Sequence, residues 1–196
     1  VGKAHLEGFG SFEGVKRAKA ELYRYLERKG GKVFVNIDSK ALSEMLGGYA
    51  FELSYGESEK AMVHGFEALA APFLSFSWRI KNKPESYRAE TRLTGLYNLE
   101  NVLAAIAVGV YFDVPHDKIN KALSSYLPSN NRSQVLETGR NKVVLDAYNA
   151  NPTSMHAALD NFLAMDEDNK VLILGGMKEL GSESLKEHQI LVERLL

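Results

Sequence analysis

The sequence predicts an α/β fold in two parts, and three observations support this prediction. Short apolar runs of β-forming residues alternate with longer segments whose apolar residues recur every three or four positions. The polar, turn-rich stretch 127–131 interrupts the alternation and predicts a boundary between parts 1–128 and 129–196. In the second part, continuous apolar strands between helices favour a parallel sheet that is covered on both faces.

The first part contains most of the predicted elements. Ser11 is expected to cap a long helix, which the pair Gly30-Gly31 ends. The elements that follow are, in order, a strand at 32–37, a short helix at 41–46, β-like runs at 51–55, 73–80 and 86–93, a helix from Asn98, and a helix from Pro115 to about Tyr126.

The second part shows a simpler alternation. Strands are predicted at 142–146 and 170–174, and helices are predicted to begin at Asn151-Pro152 and at Ser184. The chain lacks an initial Met and ends inside an apolar helical pattern, so we interpret both ends as cuts.

Composition excludes several classes of function. The net charge of -1 provides no general attraction for nucleic acid or an anionic membrane. The absence of cysteine removes disulfides, thiolate nucleophiles and cysteine zinc sites, and it fits a reducing cytosol. No apolar run approaches the ~20 residues of a membrane helix. We therefore expect a cytoplasmic monomer that neither binds nucleic acid nor inserts into a membrane.

Lys19 lies in the middle of an apolar stripe on the first long helix. At about 100° per residue, the stripe contains Phe12, Val15, Leu22 and Leu26. A lysine there must extend to solvent, find a partner or change its chemistry. Spacing alone favours an extended lysine at the edge of the stripe. His5 lies upstream of the same helix, and the sequence leaves open whether it is a packing residue or a functional one.

Two amides begin the helix at Asn98. Asn98 can be its N-cap and Asn101 a polar residue of its first turn. Alternatively, the two amides can recognise the edge of a ring by paired donor and acceptor contacts. The sequence leaves both interpretations open.

The loop from Asp146 to Pro152 carries the densest group of polar residues. It joins the carboxyl end of a strand to the start of a helix, where ligands bind in open α/β sheets and N–H groups favour anions. Capping explains Asn151 and Pro152. It does not explain Asp146, Tyr148 and Asn149 on the same loop, which favour a functional interpretation.

Several motifs are absent from the sequence. No G-x-x-x-x-G-K-[ST] phosphate loop occurs, and Gly30-Gly31-Lys32 fails that pattern because Val33 follows the lysine. Neither G-x-S-x-G nor H-E-x-x-H occurs, so nothing supports a serine hydrolase or a zinc protease.

Four separated stretches, in the same order, resemble motifs of the Mur ligases, which join amino acids to the bacterial cell-wall precursor using ATP. The stretches are 4–11 with 18–21, 95–105, 146–155 and 175–181. The resemblance implies the C-terminal part of a Mur ligase central, ATP-binding domain followed by a Rossmann-like C-terminal domain, truncated at both ends. Three positions depart from the family pattern: Tyr97 replaces a histidine, Asn131 a glycine and Gly176 an aspartate.

Within the family, the run from Tyr148 to Pro152 is similar to that of members that add D-alanyl-D-alanine to UDP-N-acetylmuramoyl-tripeptide. The resemblance implies those two substrates, ATP and Mg²⁺, and activation of a carboxylate as an acyl phosphate. Without a phosphate loop, the chain alone is expected to be inactive. Two alternatives remain: another Mur ligase or folylpolyglutamate-synthase-like ligase, and a catalytically silent α/β binding module.

The resemblance also implies roles for individual residues. Lys19 matches a lysine that becomes carbamylated and supports magnesium, and partial burial would help its amine, of ordinary pKa about 10.4, lose its charge. His5 matches a histidine that helps hold this ion, although imidazole is an unusual ligand for hard magnesium. The remaining matches are Asn98 and Asn101 for adenine, Arg132 for nucleotide phosphates and catalysis, Asp146 for ribose, and Tyr148, Asn149 and Asn151 for ATP and the dipeptide. Closure of the C-terminal domain would bring the Arg132 side across from the Lys19 side.

Overall fold

A mixed five-stranded sheet organises the first part of the chain. In the computed structural model, which describes residues 5–70, 72–129 and 131–195, neighbouring strands follow one another in sequence order. These strands are β1 (Phe34–Asn36), β2 (Leu53–Gly56), β3 (Val63–Ala70), β4 (Leu74–Ile80) and β5 (Ser86–Glu90). The pairs β1–β2 and β2–β3 are parallel, whereas β3–β4 and β4–β5 are antiparallel. The sheet is therefore mixed.

Five α-helices accompany this sheet within the described residues. They are α1 (Leu6–Phe9), α2 (Phe12–Lys29), α3 (Lys40–Leu46), α4 (Leu99–Tyr111) and α5 (His116–Ser125). The predicted limits of α2 are confirmed: the Ser11 hydroxyl accepts a hydrogen bond from the Gly14 N–H at 3.0 Å, and Gly30 ends the helix in the left-handed conformation. Within the described ranges, no helix is both long and apolar enough to cross a membrane.

Helix α4 closes the core against the sheet. Leu103 and Ile106 of α4 are buried with Phe76 and Trp78 of β4 in one apolar cluster. A side chain at Gly65 of β3 would lie 2.8 Å from the Leu103 methyl groups, so this glycine allows the helix to approach the sheet. This packing fixes the turn before α4, which carries the predicted amides.

Strand β3 is one of the elements that the sequence analysis missed. It includes His64, Gly65 and Glu67, which interrupt the pattern of β-forming residues. The strand forms because β2 and β4 pair with it on its two sides. Tertiary pairing therefore outweighs its weak local propensity.

The second part contains a two-stranded antiparallel sheet and two α-helices in its described residues. These elements are β6 (Gln134–Glu137), β7 (Lys142–Leu145), α6 (Pro152–Leu163) and α7 (Ser184–Glu193). Leu159, Met177, Leu180 and Leu191 form its small core. The strand at 142–146 and the starts of both helices are confirmed. Ala4, in the first motif, and Asn130, in the predicted boundary, lie outside the described residues.

The strand predicted at 170–174 is wrong, and so is the parallel sheet predicted for this part, because its described strands β6 and β7 are antiparallel. This segment joins neither sheet in the described structure, and the side chain of Ile173 is 94% exposed. A strand needs a neighbour that receives its backbone hydrogen bonds, and no described strand pairs with this segment. Apolar character alone therefore does not define the strand.

Replacing Asn151 with alanine should destabilise the second part by about 1 kcal/mol, because it removes a capping box. The Asn151 side chain accepts from the Ser154 N–H at 3.0 Å, and the Ser154 hydroxyl accepts from the Asn151 N–H at 3.2 Å. Urea unfolding followed by circular dichroism measures the loss. Thr153→Ala, at an exposed position of the same turn, is the matched control, and equal losses in both variants would disprove the capping effect.

Candidate functional site

A cleft of about 450 Å³ lies between the N-terminal segment and two loops of the second part. The loop that follows β7 lines the cleft, and so do residues 173–176, Lys178 and Glu179. Five of the residues predicted from the sequence line this cleft: His5, Asp146, Tyr148, Asn149 and Asn151. The fold therefore brings residues from both parts of the chain into one concave surface.

Two of the asparagines on the β7–α6 loop make local contacts. The Asn149 side-chain oxygen accepts from the Ala150 N–H at 2.9 Å, and Asn151 caps α6. These bonds set the course of the loop along the cleft. In both bonds the side-chain oxygen accepts from a backbone N–H of the second part. Each asparagine therefore has a structural role whether or not it also binds a ligand.

Arg132 stacks on Tyr148. The guanidinium carbon lies 3.7 Å from the ring centroid, within the range of a cation–π contact. This contact places Arg132 beside the cleft, although Arg132 is not among the residues that line it. Stacking uses the face of the guanidinium and leaves its N–H edge available to bind an anion. Arginine recognises phosphate through this edge.

The residues on both sides of Arg132 have left-handed backbone conformations. Asn131 has φ 57° and Ser133 has φ 49°. The Asn131 carbonyl accepts from the Ala147 N–H at 2.8 Å, which ties this segment to the loop after β7. Asparagine tolerates the left-handed region better than most residues except glycine, so Asn131 in place of the family's glycine is a conservative change of conformation.

Asp146 lies close enough to Arg132 and to Tyr97 to interact electrostatically with both. The residue as a whole is exposed, but burial of its carboxyl group raises the pKa of Asp146. A backbone hydrogen bond from Ser133 and the charge of Arg132 act in the opposite direction. Nearby, the Tyr97 and Ser133 hydroxyls are 2.5 Å apart, and burial, reinforced by the charge of Asp146, raises the pKa of Tyr97.

Ionisation of Asp146 should reduce stability. The folded chain binds this proton more tightly than the unfolded chain, where the carboxyl has its ordinary pKa of 3.8. The stabilising contribution is therefore complete below that value and is lost as the pH rises through the raised pKa of the folded chain. Urea unfolding of the wild type and Asp146→Asn from about pH 3 to about pH 7 tests this, and the wild type should lose stability relative to the variant. A constant difference, or one with the opposite slope, would contradict it.

His5 and Glu179 join the N-terminal segment to the second part. The His5 Nδ1 atom contacts the Glu179 carboxylate, and the Glu7 N–H donates to the Glu179 carbonyl at 3.2 Å. Both His5 and Glu179 have left-handed backbones, with φ 57° and 60°. Because Glu179 engages Nδ1, Nε2 is the ring nitrogen through which His5 can bind a metal.

Lys19 is exposed, which agrees with the extended lysine favoured by its spacing but not with the partial burial that the family resemblance implied. The buried face of α2 runs through Gly14, Val15 and Ala20 instead. Leu22, a member of the predicted stripe, is 60% exposed. The predicted stripe and the buried face of α2 differ because periodicity identifies apolar positions but not what covers them. Lys19 is also absent from the lining of the cleft, so its assignment rests on the family motif.

The two amides before and within α4 bind each other. The side-chain oxygen of Asn98 accepts from the Asn101 amide at 3.1 Å, and its amide donates to the Thr94 carbonyl at 2.8 Å. Asn98 is buried and makes no capping bond with its side chain, so the capping interpretation is wrong for it. Asn98 instead orients the exposed Asn101. Neither residue lines the cleft.

The sequence analysis did not predict the contacts of three residues. Ser133 and Glu179 acquire their partners only through the tertiary fold. His188 holds segment 175–181 in place: its Nε2 accepts from the Met177 N–H at 2.9 Å, and its Nδ1 lies 2.7 Å from the Ser184 carbonyl. An added Cβ at Gly176 would lie 3.6 Å from His188 Nε2, an ordinary contact, so the space does not require glycine there.

Two family models match most of the chain. One, described as the Mur ligase middle domain, matches residues 1–109. The other, described as the Mur ligase, glutamate ligase domain, matches residues 131–196. The mixed α/β fold agrees with both.

Curated relatives match nearly all of the chain. It is 27% identical over 183 residues to the UDP-N-acetylmuramoyl-tripeptide–D-alanyl-D-alanine ligase of Bacillus subtilis, covering 92% of this chain and 39% of that protein. It is 30% identical over 195 residues to the ligase of the same name from Haemophilus influenzae, covering 96% and 41%. The chain thus spans about 40% of the length of these relatives.

Solved structures show the same arrangement of elements. A crystal structure of MurF from Acinetobacter baumannii superposes with a TM-score of 0.84 at 29% identity, covering 100% of this chain and 42% of that one. MurF from Thermotoga maritima, crystallised with ADP, gives a TM-score of 0.85 at 24% identity, covering 100% and 44%. At this lower identity, the similarity to the Thermotoga maritima structure shows a shared fold.

Proposed function

The chain belongs to the Mur ligase family, and we propose that it is part of an ATP-dependent ligase that adds D-alanyl-D-alanine to UDP-N-acetylmuramoyl-tripeptide. The observation that carries this proposal is the cleft in which His5 meets the Tyr148–Pro152 loop. The names of the curated relatives support the same substrates. We assign residues 1–128 to the central domain and 129–196 to the C-terminal domain.

The proposed reaction has two steps. A carboxylate oxygen of the tripeptide attacks the γ-phosphorus of ATP, which releases ADP and forms an acyl phosphate. The dipeptide amine then attacks the acyl carbon and loses a proton, and inorganic phosphate leaves as the amide forms. The chain must therefore stabilise negative charge on the phosphoryl group and align two substrates.

The residues of this chain divide these tasks between its two parts. Arg132 offers a permanent positive charge for the phosphates, and its stacking on Tyr148 limits the directions in which it can point. Asn101, oriented by Asn98, offers its amide to adenine. Asp146 contacts the ribose, and the loop that includes Tyr148, Asn149 and Asn151 faces the dipeptide and ATP.

A magnesium site in this chain would need few protein ligands. Among the described residues, no group of three or more His, Cys, Asp or Glu side chains is placed to hold a metal ion. Mg²⁺ commonly keeps several waters and binds substrate phosphates together with one or two protein groups. His5 Nε2 and a carbamate on Lys19 would supply those two protein groups. The exposure of Lys19 leaves its amine accessible to CO2. Bound magnesium would supply charge neutralisation at the phosphoryl group.

Comparison of acceptors tests the proposed substrate. The 196 residues should be assayed within a polypeptide of the relatives' full length, with UDP-N-acetylmuramoyl-tripeptide and ATP. We expect amide formation with D-alanyl-D-alanine and none with glutamate or meso-diaminopimelate. Ligation of either amino acid in preference to the dipeptide would replace the proposal with another member of the family.

The 196-residue chain alone should release no ADP from ATP. Its sequence has no phosphate loop, whose backbone N–H groups grip the triphosphate in nucleotide-hydrolysing enzymes. A coupled assay of ADP release measures this, with Lys19→Ala as the control. Release that depends on Lys19 would contradict the prediction, because it would place the complete ATP site within these residues.

A further inference from the structure

The segment that carries Arg132 is held from two directions. On one side, the Asn131 carbonyl binds the Ala147 N–H and the Arg132 guanidinium lies over the Tyr148 ring. On the other side, the Ser133 hydroxyl meets the Tyr97 hydroxyl at 2.5 Å. Left-handed backbones at non-glycine positions persist only where surrounding contacts fix them, and both neighbours of Arg132 have this conformation.

Tyr97 is itself fixed in place. It belongs to the 3₁₀ turn Leu96–Asn98, immediately before α4 and next to the buried Asn98. A side chain at Gly95 would lie 2.2 Å from the Tyr97 ring, so the ring packs on backbone that only glycine leaves open. Its hydroxyl ends at Ser133, which is 4% exposed. The contact is therefore shielded from competing water.

We propose that Tyr97 is a positioning residue, which fixes the direction of Arg132 by holding Ser133 through its hydroxyl. The residue acts through Ser133 and touches no reacting atom. It links the turn that carries Asn98 to the arginine on the other side of the domain boundary. The catalytic consequence of this inference rests on the proposed function, which gives Arg132 its phosphate-binding role.

The hydroxyl, rather than the ring, makes this link. Tyr97→Phe keeps the ring over Gly95 and removes the hydroxyl that contacts Ser133, and Ser133→Ala removes the same contact from the other side. Tyr25→Phe is the matched control, since this exposed tyrosine lies on α2. Tyr148→Leu removes the ring beneath Arg132 and defines the signal of an unstacked guanidinium.

Nuclear magnetic resonance of the arginine side chains tests the inference in the 196-residue chain. The Tyr148 ring current should shift the Arg132 Nε–H signal upfield in the wild type and in Tyr25→Phe. Tyr97→Phe and Ser133→Ala should each move that signal towards its position in Tyr148→Leu, and the double variant should add nothing further. An Arg132 signal that stays at its wild-type position in both single variants would overturn the inference.

Titration with ADP separates this inference from the proposed function. Weak binding should move the Arg132 signal, and Tyr97→Phe should weaken that binding about fivefold, on the scale of one hydrogen bond. If ADP binds without moving the Arg132 signal, the phosphate role of Arg132 fails and the catalytic consequence of Tyr97 fails with it. The ring-current shifts then still decide whether Tyr97 holds Arg132. Equal affinity in the wild type and Tyr97→Phe, with the Arg132 signal moved in both, would overturn the inference alone.

Discussion

Replacing Trp78 with alanine should lower the free energy of unfolding of the first part of the chain by about 3–5 kcal/mol. Trp78 is fully buried in β4, and its ring centroid lies 4.7 Å from that of Tyr87 and 5.5 Å from that of His116. Its indole N–H donates to the Asn120 side-chain oxygen at 2.9 Å. The variant therefore loses apolar burial, leaves a cavity and removes the donor to Asn120.

Urea unfolding measures this loss when it is monitored by the circular dichroism of the backbone, a signal that does not depend on the tryptophan. Leu22→Ala is the control: Leu22 is 60% exposed, and its removal should change the free energy of unfolding by no more than about 0.5 kcal/mol. The two parts of the chain can unfold in separate transitions, so each is fitted separately. A Trp78→Ala loss as small as that of Leu22→Ala would show that β4 is not the centre of the core.

Replacing Arg132 with alanine should lower the ligation rate by a factor on the order of 10³ in a polypeptide of the relatives' full length. The reason is the loss of a fixed positive charge where the phosphoryl group becomes more negative. Arg132→Lys should recover only part of the rate, because an ammonium neither stacks as a planar group nor binds phosphate in a bidentate manner.

Steady-state ligation with saturating substrates measures this effect. Arg140→Ala is the matched control, since Arg140 is an exposed arginine in the turn between β6 and β7. The rate should fall while the KM for the dipeptide changes little, because Arg132 acts on the phosphates. Equal rates for Arg132→Ala and Arg140→Ala would remove Arg132 from the proposed machinery.

Elements with local signals were predictable from the sequence. Ser11, Gly30 and the Asn151-Pro152 pair set helix limits through bonds to backbone a few residues away, and the structure confirms those limits. Strand β3 was missed, and segment 170–174 was wrongly predicted as a strand, because a strand depends on its neighbours. β3 gains two partner strands, whereas segment 170–174 pairs with no described strand.

The candidate site shows the same division. The loop after β7 could be located from its composition, because polar residues between a strand end and a helix start form a local pattern. The contacts across the two parts could not, since Tyr97 and Ser133 are 36 residues apart and His5 and Glu179 are 174 apart. The partial burial that the family resemblance implied for Lys19 is absent for a related reason: the surroundings of α2 are a tertiary property.

The fate of carboxylate oxygen tests the central claim most directly. UDP-N-acetylmuramoyl-tripeptide labelled with ¹⁸O in its terminal carboxylate is incubated with ATP, D-alanyl-D-alanine and the polypeptide of full length. Attack of that carboxylate on the γ-phosphorus, followed by attack of the amine on carbon, leaves one labelled oxygen in the inorganic phosphate, which mass spectrometry detects. Label in AMP would indicate an acyl adenylate, and unlabelled phosphate formed with the amide would exclude the acyl phosphate. Either result would contradict the proposed ligase chemistry.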